Sequence, residues 1–218
     1  MAGNHRARKS ARLFDGNPVM VFREEADRRM FLKGAGIIGV GATFVAVSHD
    51  DPRAFAQGAA SDLEILNYAL TLEYIEADFY TQGIAGGTLF GRELELVMPI
   101  REHEQQHVTA LTDTIKQLGG TPVEKPMLTY PVGTFVDKTM FLTTASMFEE
   151  LGVDAYHGQI ANVQSPEILS AAAAIAGVES RHAAILADLT GGNPFPAPFE
   201  DSKTKEDVLE SANHFIQA

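Results

Sequence analysis

Cysteine is absent from this chain of 218 residues, which excludes disulfide cross-links and thiolate metal sites. Any metal it binds must be held by oxygen and nitrogen donors, which suits iron, manganese or zinc. Basic residues are scarce, 17 Lys and Arg against 29 Asp and Glu, for a net charge of -12. That balance excludes nucleic acid as a partner, because phosphate contacts need clustered Lys and Arg. Long apolar runs are missing too: the candidate at residues 34–47 has about 14 residues, whereas a membrane-spanning helix needs roughly 20. No period-2 alternation predicts a strand. What remains, 45% hydrophobic and 21% charged residues, is the composition of a soluble globular protein of one or at most two domains.

The basic charge is concentrated at the N-terminus. Asp27-Arg28-Arg29-Met30-Phe31-Leu32-Lys33 closely resembles the twin-arginine export motif, and the Gly-rich apolar stretch 34–47 and Ala54-Phe55-Ala56 follow it. This is the charged, apolar and small-residue order of a signal peptide, so residues 1–56 are expected to be removed after Ala56. Nine Lys and Arg and six Asp and Glu leave with them, and residues 57–218 carry a net charge of -15. Met20 offers a more typical start for such a signal than Met1. The expected destination is the periplasm or another exported compartment, with the twin-arginine machinery as a partner. The membrane would be a partner only if the signal stayed attached.

Residues 57–218 read as helices with clear punctuation. Ser61-Asp62-Leu63-Glu64 has the form of a capping box and predicts a first helix from 61 to about 82, before Gly83. A second is predicted over 91–118, stopped by Gly119-Gly120, and a third over about 137–163. Ser165-Pro166 supplies an N-cap and an N1 proline for a fourth that ends at Gly191-Gly192, and a short fifth is expected over 204–216. The joints between the first and second and between the third and fourth helices are short, so each pair forms an antiparallel hairpin. The link over 119–136 is long and contains proline. One long crossover between two hairpins is the arrangement of ferritin-like bundles, not of a simple up-and-down bundle.

Two copies of Glu-x-x-His, Glu104 to His107 and Glu179 to His182, interrupt the apolar stripes of the second and fourth helices. In the third helix Glu149 shares a face with Leu142, Ala145, Gly152 and Tyr156, whereas Glu150 lines up with Thr143, Ser146 and His157. Glu149 is therefore the inward candidate. In the first helix Glu73 follows Leu66 and Leu70, with Glu76 as a rival because that helix is apolar on nearly every side. An uncompensated buried charge costs at least several kcal/mol. Two divalent cations cancel the charge of four carboxylates, and two neutral imidazoles complete the donor set, so two metal ions are expected in place of one. His103 and His157 read as solvated or supporting groups, Arg101 as a side chain reaching past the core edge, and Tyr74, Tyr80 and Tyr156 as packed aromatics.

Glu73, Glu104, His107, Glu149, Glu179 and His182 together resemble the di-metal carboxylate site of the ferritin-like superfamily. Tyr80, seven residues after Glu73, matches a tyrosine common at that offset in bacterioferritin and rubrerythrin, and so favours Glu73 over Glu76. More narrowly, the segments 72–80, 102–107 and 178–182 resemble exported ferritin-like domain proteins related to plant desiccation-related proteins. The resemblance implies an all-α, ferritin-like four-helix bundle with a short C-terminal helix, holding two divalent iron or manganese ions. It implies oxidoreductase chemistry of ferroxidase or peroxide-scavenging type in stress protection, with oxygen, peroxide or iron(II) as small-molecule substrates. The alternative is a stress-protective protein in which metal only staples the bundle. Nothing after the fourth helix suggests the elements of a storage cage, whereas a homodimer is compatible with the sequence.

Overall fold

The computed structural model describes residues 52–217. Among them are five α-helices: α1 Pro52–Ala85, α2 Arg92–Gln117, α3 Lys138–Gln159, α4 Pro166–Thr190 and α5 Lys205–Ala212. The twin-arginine motif and the apolar stretch behind it lie outside the described residues. The α1–α2 and α3–α4 pairs pack as hairpins, and the connection from 118 to 137 crosses between them, so the bundle has the predicted all-α, ferritin-like topology. The described residues hold no strand, only an isolated antiparallel bridge between Leu128 and Ile216. That bridge pins the C-terminus onto the crossover link.

Several caps follow the sequence signals. The Ser165 side chain accepts from the Ile168 N–H with Pro166 at the first helical position, and Asp137 caps α3 by accepting from Met140. Gly191 ends α4 in the left-handed conformation, φ 78°. Two local signals are overridden in the fold. α1 does not start at Ser61 but at Pro52, with a proline at its first position and four alanines that outweigh Gly58 before Ser61. Asp62 is spent elsewhere: its carboxylate, 1% exposed, accepts the backbone N–H groups of Gln164 and Ser165 at 2.8 and 2.9 Å, tying α1 to the turn before α4. Gly83 does not end α1 either. It lies inside the helix, where a Cβ would come within 1.9 Å of the Phe141 ring. Removing that atom lets Phe141 stack on Phe79 at 4.7 Å with the rings nearly parallel.

The third helix is shorter than predicted, giving way to a 3-10 turn at Ile160–Asn162, and α5 likewise ends in one at Asn213–Phe215. The C-terminal segment docks on its own bundle: Val208, Ala212 and Phe215 are buried in the main apolar cluster with Phe148 and Leu151. No helix among the described residues is long and apolar enough to cross a membrane.

Asp62→Ala orphans two N–H groups at once. It is expected to lower the unfolding free energy by about 2 to 4 kcal/mol in urea titration, with Asp62→Asn losing about half as much because one acceptor oxygen survives. Equal stability of Asp62→Ala and the unaltered chain would remove Asp62 from the list of residues that join the two hairpins.

Candidate metal centre

Each of α1 to α4 contributes carboxylate to one buried cluster at mid-bundle. Glu73 comes from α1, Glu104 and His107 from α2, Glu149 from α3, and Glu179 and His182 from α4; all six are buried, with Glu104, Glu149 and Glu179 fully inaccessible. In α2 and α4 the i, i+3 spacing sets Glu and His on one face, one turn apart. The structure thus brings together all six of the expected metal ligands.

The donor atoms form two overlapping groups, Glu73, Glu104, His107 and Glu179, and Glu104, Glu149, Glu179 and His182, each within 4.8 Å. His107 Nδ1 lies 3.3 Å from Glu73 Oε2, 3.1 Å from Glu104 Oε2 and 3.1 Å from Glu179 Oε1. One imidazole N–H cannot serve three carboxylates from three helices. His182 Nδ1 likewise faces Glu104 Oε1 at 3.0 Å and Glu149 Oε2 at 3.2 Å. Glu104 therefore presents one oxygen to each histidine.

Glu73 Oε2, Glu104 Oε1 and both oxygens of Glu179 are buried without a hydrogen-bond partner. For Glu104 Oε1 this coexists with the short approach to His182: the atoms are close but not aligned along an N–H. Distance without alignment is what side chains show when they point at a common position and not at each other. Buried, converging, unpaired carboxylate oxygens beside imidazole nitrogens fit divalent cations, whose charge offsets an otherwise costly burial.

The outer partners fix these side chains. The Tyr156 hydroxyl donates to Glu73 Oε1 and the Tyr80 hydroxyl to Glu149 Oε1, both at 2.5 Å. Each carboxylate is held by one oxygen, which leaves the other aimed inward. The expectation that these tyrosines only pack is therefore corrected. The exchange is reciprocal, since Tyr80 of α1 supports the Glu of α3, and Tyr156 of α3 supports the Glu of α1. Its signal was available: Tyr156 follows Glu149 by the same seven residues that separate Tyr80 from Glu73.

The internal two-fold pattern breaks at one place. Three residues after Glu73 stands Glu76, and three after Glu149 stands Gly152. A Cβ at Gly152 would lie 3.1 Å from Glu76 Oε1 and 3.2 Å from Glu179 Oε2, so the missing side chain makes room for a fifth buried carboxyl group. The sequence posed Glu73 and Glu76 as rivals, and the fold buries both. His103, read as a supporting residue, meets His182 with its Nδ1 2.8 Å from Nε2, the rings stacked. With a cation on His182 Nδ1, its Nε2 would carry the proton and donate to His103 Nδ1. His157 stays apart and hydrogen-bonds the Val153 carbonyl. Arg101 reaches Glu102, not a cluster carboxylate.

The electrostatics of the cluster follow from burial and crowding. Burial, then the Glu73 charge, pushes Glu104 up to about 7, and burial with neighbouring carboxylates raises Glu76 and Glu179 well above the usual range. Burial would also raise Glu73, but the His107 charge and hydrogen bonds hold it below its ordinary value. Burial would lower both histidines, yet the surrounding carboxylates win, holding His182 at about 9 and His107 higher still. Without cations the cluster retains protons in their place.

Comparison with known proteins bears on the fold. A family model for the ferritin-like domain matches residues 61–192, more than half of the chain. A crystal structure described as ferritin like, diiron-carboxylate proteins from Bacillus anthracis str. Ames is similar at 24% identity and a TM-score of 0.51, covering 61% of this chain and 97% of that one. A hypothetical protein from Methanococcus jannaschii DSM 2661 aligns at 12% identity and a TM-score of 0.46, over 77% of this chain and 96% of its own. No curated protein matches the chain. The two hairpins, their single crossover and the matched span agree, and the chain belongs to the ferritin-like domain family.

Proposed function

We propose that this is a di-metal carboxylate protein of redox type, holding two iron or manganese ions and acting on oxygen, peroxide or iron(II) in stress protection. The observation that carries the proposal is the sharing of Glu104 and Glu179 between two adjacent donor groups. One ion would be held by Glu73, Glu104, His107 and Glu179, the other by Glu104, Glu149, Glu179 and His182. When bound, such a pair supplies reversible one-electron chemistry at two neighbouring centres with open coordination positions.

The residues of the chain do the rest. Tyr80 and Tyr156 keep their protons, because burial and the adjacent carboxylates raise both phenols well above their ordinary value. They hold Glu149 and Glu73 in place without adding charge. His103, kept neutral by burial and by His182, would accept a hydrogen bond from His182 Nε2 and so fix which nitrogen faces the carboxylates. Phe79, Phe141 and Phe148 close the neighbouring part of the core to water. The reactive-centre reading is favoured over a purely structural staple because His107 reaches the wall of a cavity, giving the cluster a route outward.

Export by the twin-arginine route belongs to the same proposal, supported by the motif at Arg28 and Arg29. That route carries folded proteins and would let the metal load before transport. The test is to reduce the protein loaded with iron or manganese and then add oxygen or peroxide. The expected result is a change in the near-ultraviolet and visible spectrum, with turnover of peroxide or iron(II). Full metal occupancy with neither spectral change nor turnover would leave the structural staple as the function.

A further inference from the structure

Between α2 and α4 the bundle is not closed. α1 packs chiefly on α2, α3 chiefly on α4, and α2 makes few contacts with α4. The gap is a cavity of about 640 Å³, a size within the range of small-molecule sites, roughly 300 to 1,000 Å³. Its walls are apolar, with Leu66 and Ala69 from α1, Ala110 and Leu111 from α2, and Ala172 and Ile175 from α4. Small side chains on facing helices leave the space open.

Three features say what would fill it. The cavity reaches His107 and Tyr156, and His107 is the most exposed of the six cluster residues, at 8%. A molecule in the cavity would therefore lie against the cluster's outermost ligand candidate. The polar residues among the lining, such as Gln106, Thr109, Thr114 and Gln159, are neutral hydrogen-bonding groups. No Lys or Arg lines the cavity; beside the acids Asp113 and Glu167 its one cationic group is His107, whose charge is already matched by Glu73, Glu104 and Glu179 within 3.3 Å. An anionic head group would find no unpaired cation here and would be repelled by the acids, whereas a hydroxyl or carbonyl would be accommodated.

We propose that the α2–α4 cavity binds an uncharged apolar organic molecule, an alcohol, aldehyde or hydrocarbon and not a fatty-acid anion, with its polar end toward His107. As a substrate class this rests on the metal-centre reading, but the binding itself does not. The walls would supply affinity by burying the apolar chain, and the lack of an unpaired cation would supply selectivity.

The test titrates the full chain with decanol and with decanoate by calorimetry, and repeats both on Ala172→Phe and Ala110→Phe, which fill the gap from opposite walls. Neither alanine is fully buried, and neither belongs to the metal cluster, so bound metal per chain serves as the control for folding. Decanol is expected to bind saturably, one per chain, with decanoate weaker by at least roughly tenfold. Each filling variant should weaken decanol by roughly tenfold or more while its metal content stays unchanged. Absence of saturable decanol binding, or equal binding of decanoate, overturns the proposal. So does Ala172→Phe converting a dimer to a monomer without affecting decanol, which would make the groove an interface between copies. Decanol binding by a protein that takes up no metal would uphold the groove and overturn the metal-centre reading instead.

Discussion

Glu104→Gln and Glu179→Gln are each expected to abolish binding of both metal ions, whereas Glu73→Gln and Glu149→Gln should each abolish one. The difference follows from geometry: Glu104 and Glu179 belong to both donor groups, Glu73 only to that of His107, and Glu149 only to that of His182. The amide keeps the volume of the side chain but gives up its charge and one donor oxygen. Elemental analysis after dialysis should read about two ions per chain for the parent, none for the first two variants and about one for the others. The same substitutions should act oppositely on the metal-free protein. Glu179 has two buried oxygens without hydrogen-bond partners, and neutralising such a group removes an uncompensated burial. Metal-free Glu179→Gln should therefore melt higher than the metal-free parent, which separates loss of a ligand from loss of the fold. Retention of one ion by Glu104→Gln, at the same level as Glu73→Gln, would refute the shared-carboxylate arrangement.

Metal loading should raise the melting temperature, and the gain should grow with pH. At an ion concentration near a thousandfold the dissociation constant, binding stabilises by about 4 kcal/mol, or roughly 8 to 16 °C for a domain of this size. The pH dependence follows from the proton inventory of the metal-free cluster. Glu104 at about 7, with Glu76 and Glu179 also raised, holds protons in the folded state that the unfolded chain releases. The raised carboxyls and the raised His182 thus contribute stability at low pH that is lost as pH climbs to about 9. Glu73, whose carboxyl is lowered, acts in the other direction, but only below the ordinary carboxylate range. The metal-free protein should therefore become less stable from about pH 4.5 to about pH 9. Ions must displace those same protons, so their affinity rises over the same interval. Scanning calorimetry with and without manganese should give two curves that diverge as pH rises. Parallel curves would mean that protons and ions do not compete for these side chains.

Much of the cluster was legible in the sequence because helical spacing is a strong constraint. An inward position at i fixes those at i+3, i+4 and i+7, so Glu104, His107, Glu179 and His182 could be set on core faces from the apolar residues around them. Glu149 could be separated from Glu150 on the same ground. The choice between Glu73 and Glu76 could not be made in that way, since α1 is apolar on nearly every side and periodicity loses its contrast. Partners across the bundle were harder still. That Tyr156 supports Glu73 and His103 supports His182 depends on which helices lie side by side, and one-dimensional spacing does not carry that information.

The punctuation failed for a related reason. Ser61 to Glu64 has the residues of a cap, and Gly83 is a residue that ends helices, but both signals are local preferences of about 1 kcal/mol. Tertiary contacts override preferences of that size. Asp62 gains more from two buried N–H groups of the α3–α4 turn, and the close approach of Phe141 to α1 requires the absence of a side chain at Gly83.

By itself the amino-acid sequence determined the all-α class, the two hairpins with one crossover and the inward faces of Glu104, His107, Glu149, Glu179 and His182, because these follow from repeating patterns along single helices and from loop lengths. Only the tertiary structure decided which carboxylates are shared, which tyrosine holds which glutamate, that Gly152 admits Glu76, and that α2 and α4 leave a cavity beside His107. Those properties depend on distances between helices, and these are set by side-chain volumes meeting across the bundle and not by order along the chain.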